Sequence, residues 1–143
     1  MNDFRLDQFL PYQLAVLANR TSRAFAEIYG KRFGLTIPEW RVMAHLGSKD
    51  RISIRDIHRR VDMDKSKVTR AAQRLEAQGL IAKTINPADR RLVTLSLTAK
   101  GRSMMDQIAP LALAFEEEML SQLSPEMVAA FRATIARLEE QDE

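Results

Sequence analysis

The chain has 143 residues, 45% hydrophobic and 29% charged, with a formal net charge of +3 and no cysteine. That suits one compact domain with a real core, and the missing thiols exclude a disulfide framework, a thiolate nucleophile and a sulfur-ligated zinc site. Charge interrupts every apolar stretch, and Asp3, Arg5 and Asp7 stand where a leader would carry a basic and then an apolar segment; neither a membrane span nor a signal peptide is expected, and the expected location is the cytoplasm. The charge is divided unevenly. Arg51 to Arg102 carries 13 Lys and Arg against 5 Asp and Glu, a net of +8, whereas Ser103 to Glu143 carries 2 against 9, a net of −7. A cationic middle and an acidic tail suit a chain with one lobe facing a polyanion and another facing away.

In chain order, Pro11 opens a long helix with Tyr12, Leu14, Val16, Leu17, Phe25, Ile28 and Tyr29 on a broad apolar stripe, ending around Gly30 to Gly34. Thr36-Ile37-Pro38-Glu39 has the form of a capping box, so a second helix is expected from Ile37 to about Leu46, burying Trp40, Met43 and Leu46. Ser53 starts a short third helix with Ile54, Ile57 and Val61 on one face. Asp62 or Asp64 caps a fourth, which runs through Val68, Ala72 and Leu75 to Gly79. Two helices thus meet across Val61 to Asp64, the length of a helix-turn-helix connection.

After Gly79 the apolar period changes to two. Leu80 to Ile85 and Val93 to Leu97 read as paired strands around the turn-rich, charged tip Asn86 to Arg90. Thr98 caps a fifth helix carrying Met105, Ile108, Ala112, Phe115 and Met119, with a bend expected at Pro110. Ser124-Pro125-Glu126 starts a sixth, with Val128, Phe131, Ile135 and Leu138 at the spacing of an a/d seam. The fold class is therefore mainly α with a small β-hairpin wing and about six helices.

The fourth helix is apolar behind and hydrogen-bonding in front. With Val68 as reference, Ser66, Thr69, Arg70, Gln73 and Arg74 are assigned to the face opposite Ala72 and Leu75. Guanidinium groups can donate two bonds to guanine, and hydroxyls and an amide can read adenine or hold phosphate. Lys65 and Lys67 add charge beside N-terminal amides, and no acid occurs from Lys65 to Gln73. Arg90 and Arg91 at the hairpin tip suit a narrow minor groove. Arg55, Arg59, Arg60 and Lys65 are expected on the DNA backbone.

Three runs carry a resemblance to the MarR family of winged helix-turn-helix transcriptional regulators. They are Gly34-Leu35-Thr36-Ile37-Pro38-Glu39-Trp40-Arg41-Val42; Lys65-Ser66-Lys67-Val68-Thr69-Arg70 with Arg74-Leu75-Glu76-Ala77-Gln78-Gly79-Leu80-Ile81; and Asp89-Arg90-Arg91 with Leu95-Ser96-Leu97-Thr98-Ala99-Lys100-Gly101. The resemblance implies a single domain over 1–143, with a winged helix-turn-helix lobe at 36–98 and a helical dimerisation region at 1–35 and 99–143. It implies a homodimer reading a pseudo-palindromic operator in double-stranded DNA. Ser66, Lys67, Thr69, Arg70 and Arg74 become major-groove residues, Arg91 the minor-groove arginine, and Asp89 a residue that orders the wing. Asp62 and Asp64 depart from what a phosphate-facing turn should carry.

Leu10, Leu14, Phe115, Val128, Phe131, Ile135 and Leu138 are the expected dimer interface. The family likeness also implies a repressor relieved by a small aromatic or anionic effector, for which Tyr12, Trp40, Met43, His45 and Met105 are candidate lining, although residues at this spacing more often form core. Neither a cofactor nor a metal site is expected, because His45 and His58 are the only histidines and no ligand at zinc spacing accompanies them. No nucleophile elbow or phosphate loop argues for an enzyme. Two alternatives are a winged-helix protein-interaction scaffold and a nonspecific architectural DNA binder.

Overall fold

A computed structural model of the chain describes residues 3–48 and 51–140. The outer ends of the expected dimerisation region, at 1–2 and 141–143, lie outside the described residues. Among the described residues there are six α-helices and three short strands. In order these are α1 (Leu10–Phe33), preceded by a 3-10 turn at Leu6–Gln8, α2 (Ile37–Gly47), β1 (Ile52–Ser53), α3 (Ile54–Arg60), α4 (Lys65–Ala77), β2 (Ile81–Ile85), β3 (Val93–Leu97), α5 (Ala99–Leu120) and α6 (Pro125–Glu139).

Local chemistry sets most of the boundaries. α1 enters with Pro11 in its first turn and leaves at Gly34, whose φ of 70° is left-handed. The capping box forms in full, with Glu39 N–H donating to Thr36 Oγ1 (3.3 Å) and Thr36 N–H to Glu39 Oε1 (3.1 Å). That reciprocity is how a buried carboxylate is accommodated at Glu39. Ser53 and Ser124 accept from the Asp56 and Met127 amides at the starts of α3 and α6. Of the two candidate acids before α4, Asp64 is the cap. α4 ends in a Schellman motif, in which Gly79 N–H donates to Glu76 O and Leu80 N–H to Leu75 O (both 2.9 Å).

That exit explains why β2 starts at Ile81 and not at Leu80, whose amide is already committed to the helix. The sheet has the order β1-β3-β2, all antiparallel, with Ile81 opposite Leu97 and Ile85 opposite Val93. β1 is an addition to the expected hairpin. Ile52 pairs with Leu95 and Ser53 with Thr94, and two residues are too few to show a period of two.

Thr98 ties the start of α5 to the α4 exit. Thr98 Oγ1 donates to Gly79 O (2.6 Å) and accepts from Gly101 N–H (3.0 Å), while Thr98 N–H donates to Leu80 O (3.1 Å). Gly101 passes so near that a β-carbon would overlap the Leu80 carbonyl oxygen and stand 3.2 Å from Leu97 Cδ2.

Two compact units divide the chain, Met1–Ala109 and Pro110–Glu143, with Pro110 inside α5 at the division. The first holds the core: Val42, Met43 and Leu46 of α2, Ile57 and Val61, the α4 residues Val68, Ala71 and Leu75, and Leu80, Ile81, Leu95 and Ile108. Phe25 and Tyr29 meet Trp40 with ring centroids 5.2 and 5.4 Å away. In the second unit none of the described residues is buried, and an exposed Arg132–Glu116 ion pair (3.4 Å) links α6 to α5.

Candidate nucleic-acid interface

α4 lies with Val68, Ala71, Ala72 and Leu75 buried and with Lys65, Ser66, Lys67, Arg70, Gln73 and Arg74 exposed. Thr69 departs from that face. One residue is about 100° of helix rotation, so a neighbour of Val68 falls at the edge of the buried side and not opposite it. Thr69 is half-buried, its Oγ1 3.3 Å from His58 Nε2 on α3. The Ser66 hydroxyl also has a partner within the chain, donating to Asp64 Oδ1 (2.8 Å). The exposed amine, amide and guanidinium groups of this face belong to Lys65, Lys67, Gln73, Arg70 and Arg74.

Asp64, one of the two acids at the turn, is occupied by the protein. It also accepts from Lys67 N–H (3.0 Å). These two hydrogen bonds, the backbone one first, together with the charges of Lys67 and Arg70, hold its carboxyl below the usual carboxylate range. Asp62 stays exposed on the turn.

The wing tip is held by its own side chains. Asn86 Oδ1 accepts from Ala88 N–H (2.8 Å), and Asn86 N–H donates to Leu92 O (3.0 Å). Asp89 Oδ1 accepts from Arg91 N–H and Nε (both 3.1 Å), and its other oxygen faces Arg91 Nη2 at 3.4 Å. The Arg91 side chain hydrogen bond, then its amide, and then the Arg55 charge hold the Asp89 carboxyl below its usual range. The Arg91 side chain is 88% exposed, and Arg90 is exposed beside it.

Tertiary structure brings α3 to the wing. β1 feeds α3 and pairs with β3, which leaves the wing, so Arg55 and Arg91 line one cleft with Ser53, Ile54, Leu92 and Val93. A second cleft is lined by Arg55, His58, Arg59 and Lys65. Arg60 is exposed on α3, and its charge adds to burial, the larger cause, in pushing down the pKa of His45. Sequence reasoning weighed His58 only as a metal ligand. Its spacing of three from Arg55, one helical turn, was the signal available for placing it among the cations.

The candidate effector residues are mostly packed. Met43 has no exposed surface, Trp40 stacks on Tyr29, His45 is half-buried, and the half-buried Met105 side chain lies against Gly47. Tyr12 is exposed on α1. Of the expected dimer residues, Leu10 and Leu14 are exposed on α1, and Phe131, Ile135 and Leu138 on α6, with Phe115 and Val128 half-buried. Among the described residues, no group of three or more acids and histidines could hold a metal ion, and no helix is long and apolar enough to cross a membrane.

A model of the MarR family matches residues 33–92. The HTH-type transcriptional repressor MdtR of Bacillus subtilis (strain 168) is 34% identical over 113 residues, covering 77% of this chain and 73% of that protein. The chain belongs to the MarR family. Its fold is similar to that of the MarR-family regulator SPO1453 from Silicibacter pomeroyi DSS-3, with a TM-score of 0.86 and 27% identity over 99% of this chain and 100% of that one. A mutant MarR from E. coli complexed with operator DNA shares the fold, with a TM-score of 0.82 and 20% identity over 96% and 99% of the two chains. As a MarR-family member the chain is a DNA-binding transcriptional regulator, and its chemistry is recognition and not catalysis.

Proposed function

We propose that this MarR-family chain is a repressor that binds a pseudo-palindromic operator as a homodimer. Each subunit lays α4 in a major groove and sets Arg91 in the flanking minor groove, the half-sites lying about one helical turn apart. Lys67, Arg70, Gln73 and Arg74 meet base edges; Ser66 and Thr69 support them from positions already bonded within the chain. Arg55, Arg59 and Lys65 hold the DNA backbone, with Arg60 further along α3, and Arg90 accompanies Arg91 at the wing. Asp89 orders the wing by fixing Arg91. The helix-turn-helix lobe at 36–98 reads DNA, while 1–35 and 99–143 pair the subunits. A small aromatic or anionic effector relieves repression, with Tyr12, Trp40, Met43, His45 and Met105 the residues whose repacking would admit it.

The observation that carries this reading is the exposed, acid-free face from Lys65 to Gln73 on a helix whose other face is fixed in the core. A merely solvated face would mix acids with bases. The apolar side chains exposed on α6 support pairing of subunits, since such surface ordinarily marks an interaction site. The test is fluorescence anisotropy on the upstream intergenic DNA and on scrambled DNA of equal composition, over a salt series. Tight binding of the native fragment, much weaker binding of the scrambled one and a steep salt slope are expected. Equal affinities would favour an architectural DNA binder, and no binding at low salt a protein-interaction scaffold.

A further inference from the structure

We propose that His58 is the fourth member of a phosphate-holding notch beside the recognition helix, and that DNA binding takes up a proton at its imidazole. The inference rests on the DNA-binding reading above and assigns to that surface a residue and a pH dependence. The notch is lined by Arg55, His58 and Arg59 from α3 and by Lys65 from the first turn of α4. Four basic side chains and no carboxylate form its wall, which suits a single tetrahedral anion.

The surrounding charges leave the notch cationic. β1 and β3, which pack on α3, carry no titratable side chain. On α2, Glu39 is bound in the Thr36 cap, Arg41 donates to Ser22 Oγ, and His45 stands near the Arg60 charge. On α4, Asp64 is occupied by Ser66 and the Lys67 amide, Lys67 and Arg70 are exposed, and Glu76 lies about two turns beyond Thr69. On α3 itself, Asp56 sits in the first turn at the Ser53 cap. Asp62 is exposed on the following turn, and at the wing Asp89 is bound to Arg91.

His58 is also fixed in place. Its Nε2 lies 3.3 Å from Thr69 Oγ1, and a hydroxyl can donate to a neutral ring nitrogen or accept from a protonated one, so this bond survives either state. Either protonation state of the ring therefore keeps this contact between α3 and α4. A phosphate in the notch sets negative charge beside the ring and favours imidazolium. The complex then binds a proton more tightly than the free protein does. By linkage, affinity is highest where the complex holds that proton and declines as pH rises until the proton is lost. One pKa unit between bound and free states corresponds to about a tenfold change per subunit.

Histidine is the side chain that ordinarily titrates from about pH 5.5 to about pH 8, and the chain has two. The test is anisotropy of the full chain on a labelled duplex obtained by in vitro selection, across that range at fixed ionic strength. Wild type should bind about tenfold tighter or more at the acid end. His58→Gln, whose amide can keep the Thr69 bond, should be flat at the weaker level, and His58→Lys flat at the tighter level. A wild-type profile retained by His58→Gln would overturn the proposal, as would a flat wild type that still binds its duplex tightly and selectively. Failure to bind any duplex at low salt would overturn the DNA-binding reading, and this inference with it.

Discussion

Arg91 and Arg70 present the same guanidinium to different surroundings. Arg91 extends into solvent, with Asp89 fixing both its amide and its side chain. An ion pair so exposed contributes little to stability and is readily exchanged for a stronger field. Arg91→Ala should therefore weaken operator binding while the thermal midpoint and sedimentation coefficient stay at wild-type values. Equal affinity at matched salt would remove this arginine from the minor groove. Arg70 stands on the face of α4 away from Val68, and for a bidentate contact to a base Arg70→Ala should cost about 1–3 kcal/mol and relax preference at one base position. A uniform loss over all sequences would reassign Arg70 to phosphate. Both arginines could be picked out by eye from the sequence, Arg70 because charge on the face away from an apolar stripe needs only helical arithmetic, and Arg91 because it follows a turn-rich, charged tip between two strands. Thr69 could not, since its side chain is claimed by His58, which another helix brings within reach.

At the scale of elements, the caps were written in the chain. Thr36 with Glu39, Ser53, Asp64 and Ser124 each act over three residues, and local chemistry of that reach is independent of the rest of the fold. The two-residue β1 was invisible because it exists only through β3. Gly101 belongs to the same class. Nothing in its neighbours demands glycine, yet α5 leaves the sheet so close to Leu80 that the position admits no side chain. The obstacle is a backbone carbonyl already bonded to Thr98 N–H, which cannot swing aside as a flexible side chain would. Gly101→Ala should lower stability by about 1–3 kcal/mol, read as a lower urea midpoint with an unchanged slope. A midpoint equal to wild type would show that the start of α5 can shift without loss.

For the whole molecule, the outstanding feature is apolar surface left exposed in one chain among the described residues. Phe131 and Ile135, at i and i+4 on α6, are 40% and 42% exposed, and Leu138 is 50% exposed. Half-exposed positions cost a single subunit little when changed, so the Phe131→Glu, Ile135→Glu double variant should keep its helical circular dichroism. It should nevertheless sediment as a monomer and lose high-affinity operator binding, because two half-sites bound separately forgo their linkage. A double variant that remains dimeric on a full operator would place the pairing surface elsewhere.

Taken alone, the sequence determined the order and type of the helices, their caps, the helix-turn-helix spacing, the wing and the cationic face of α4. All of these follow from short-range periodicity, charge and capping chemistry. Tertiary structure decided the rest. It added β1 to the wing, drew Thr69 back to His58, set Arg55 beside both Arg91 and Lys65, brought the Arg60 charge to His45 and made Gly101 obligatory. These depend on backbones and side chains that meet only after the chain has folded across long sequence distances, where periodicity carries no information.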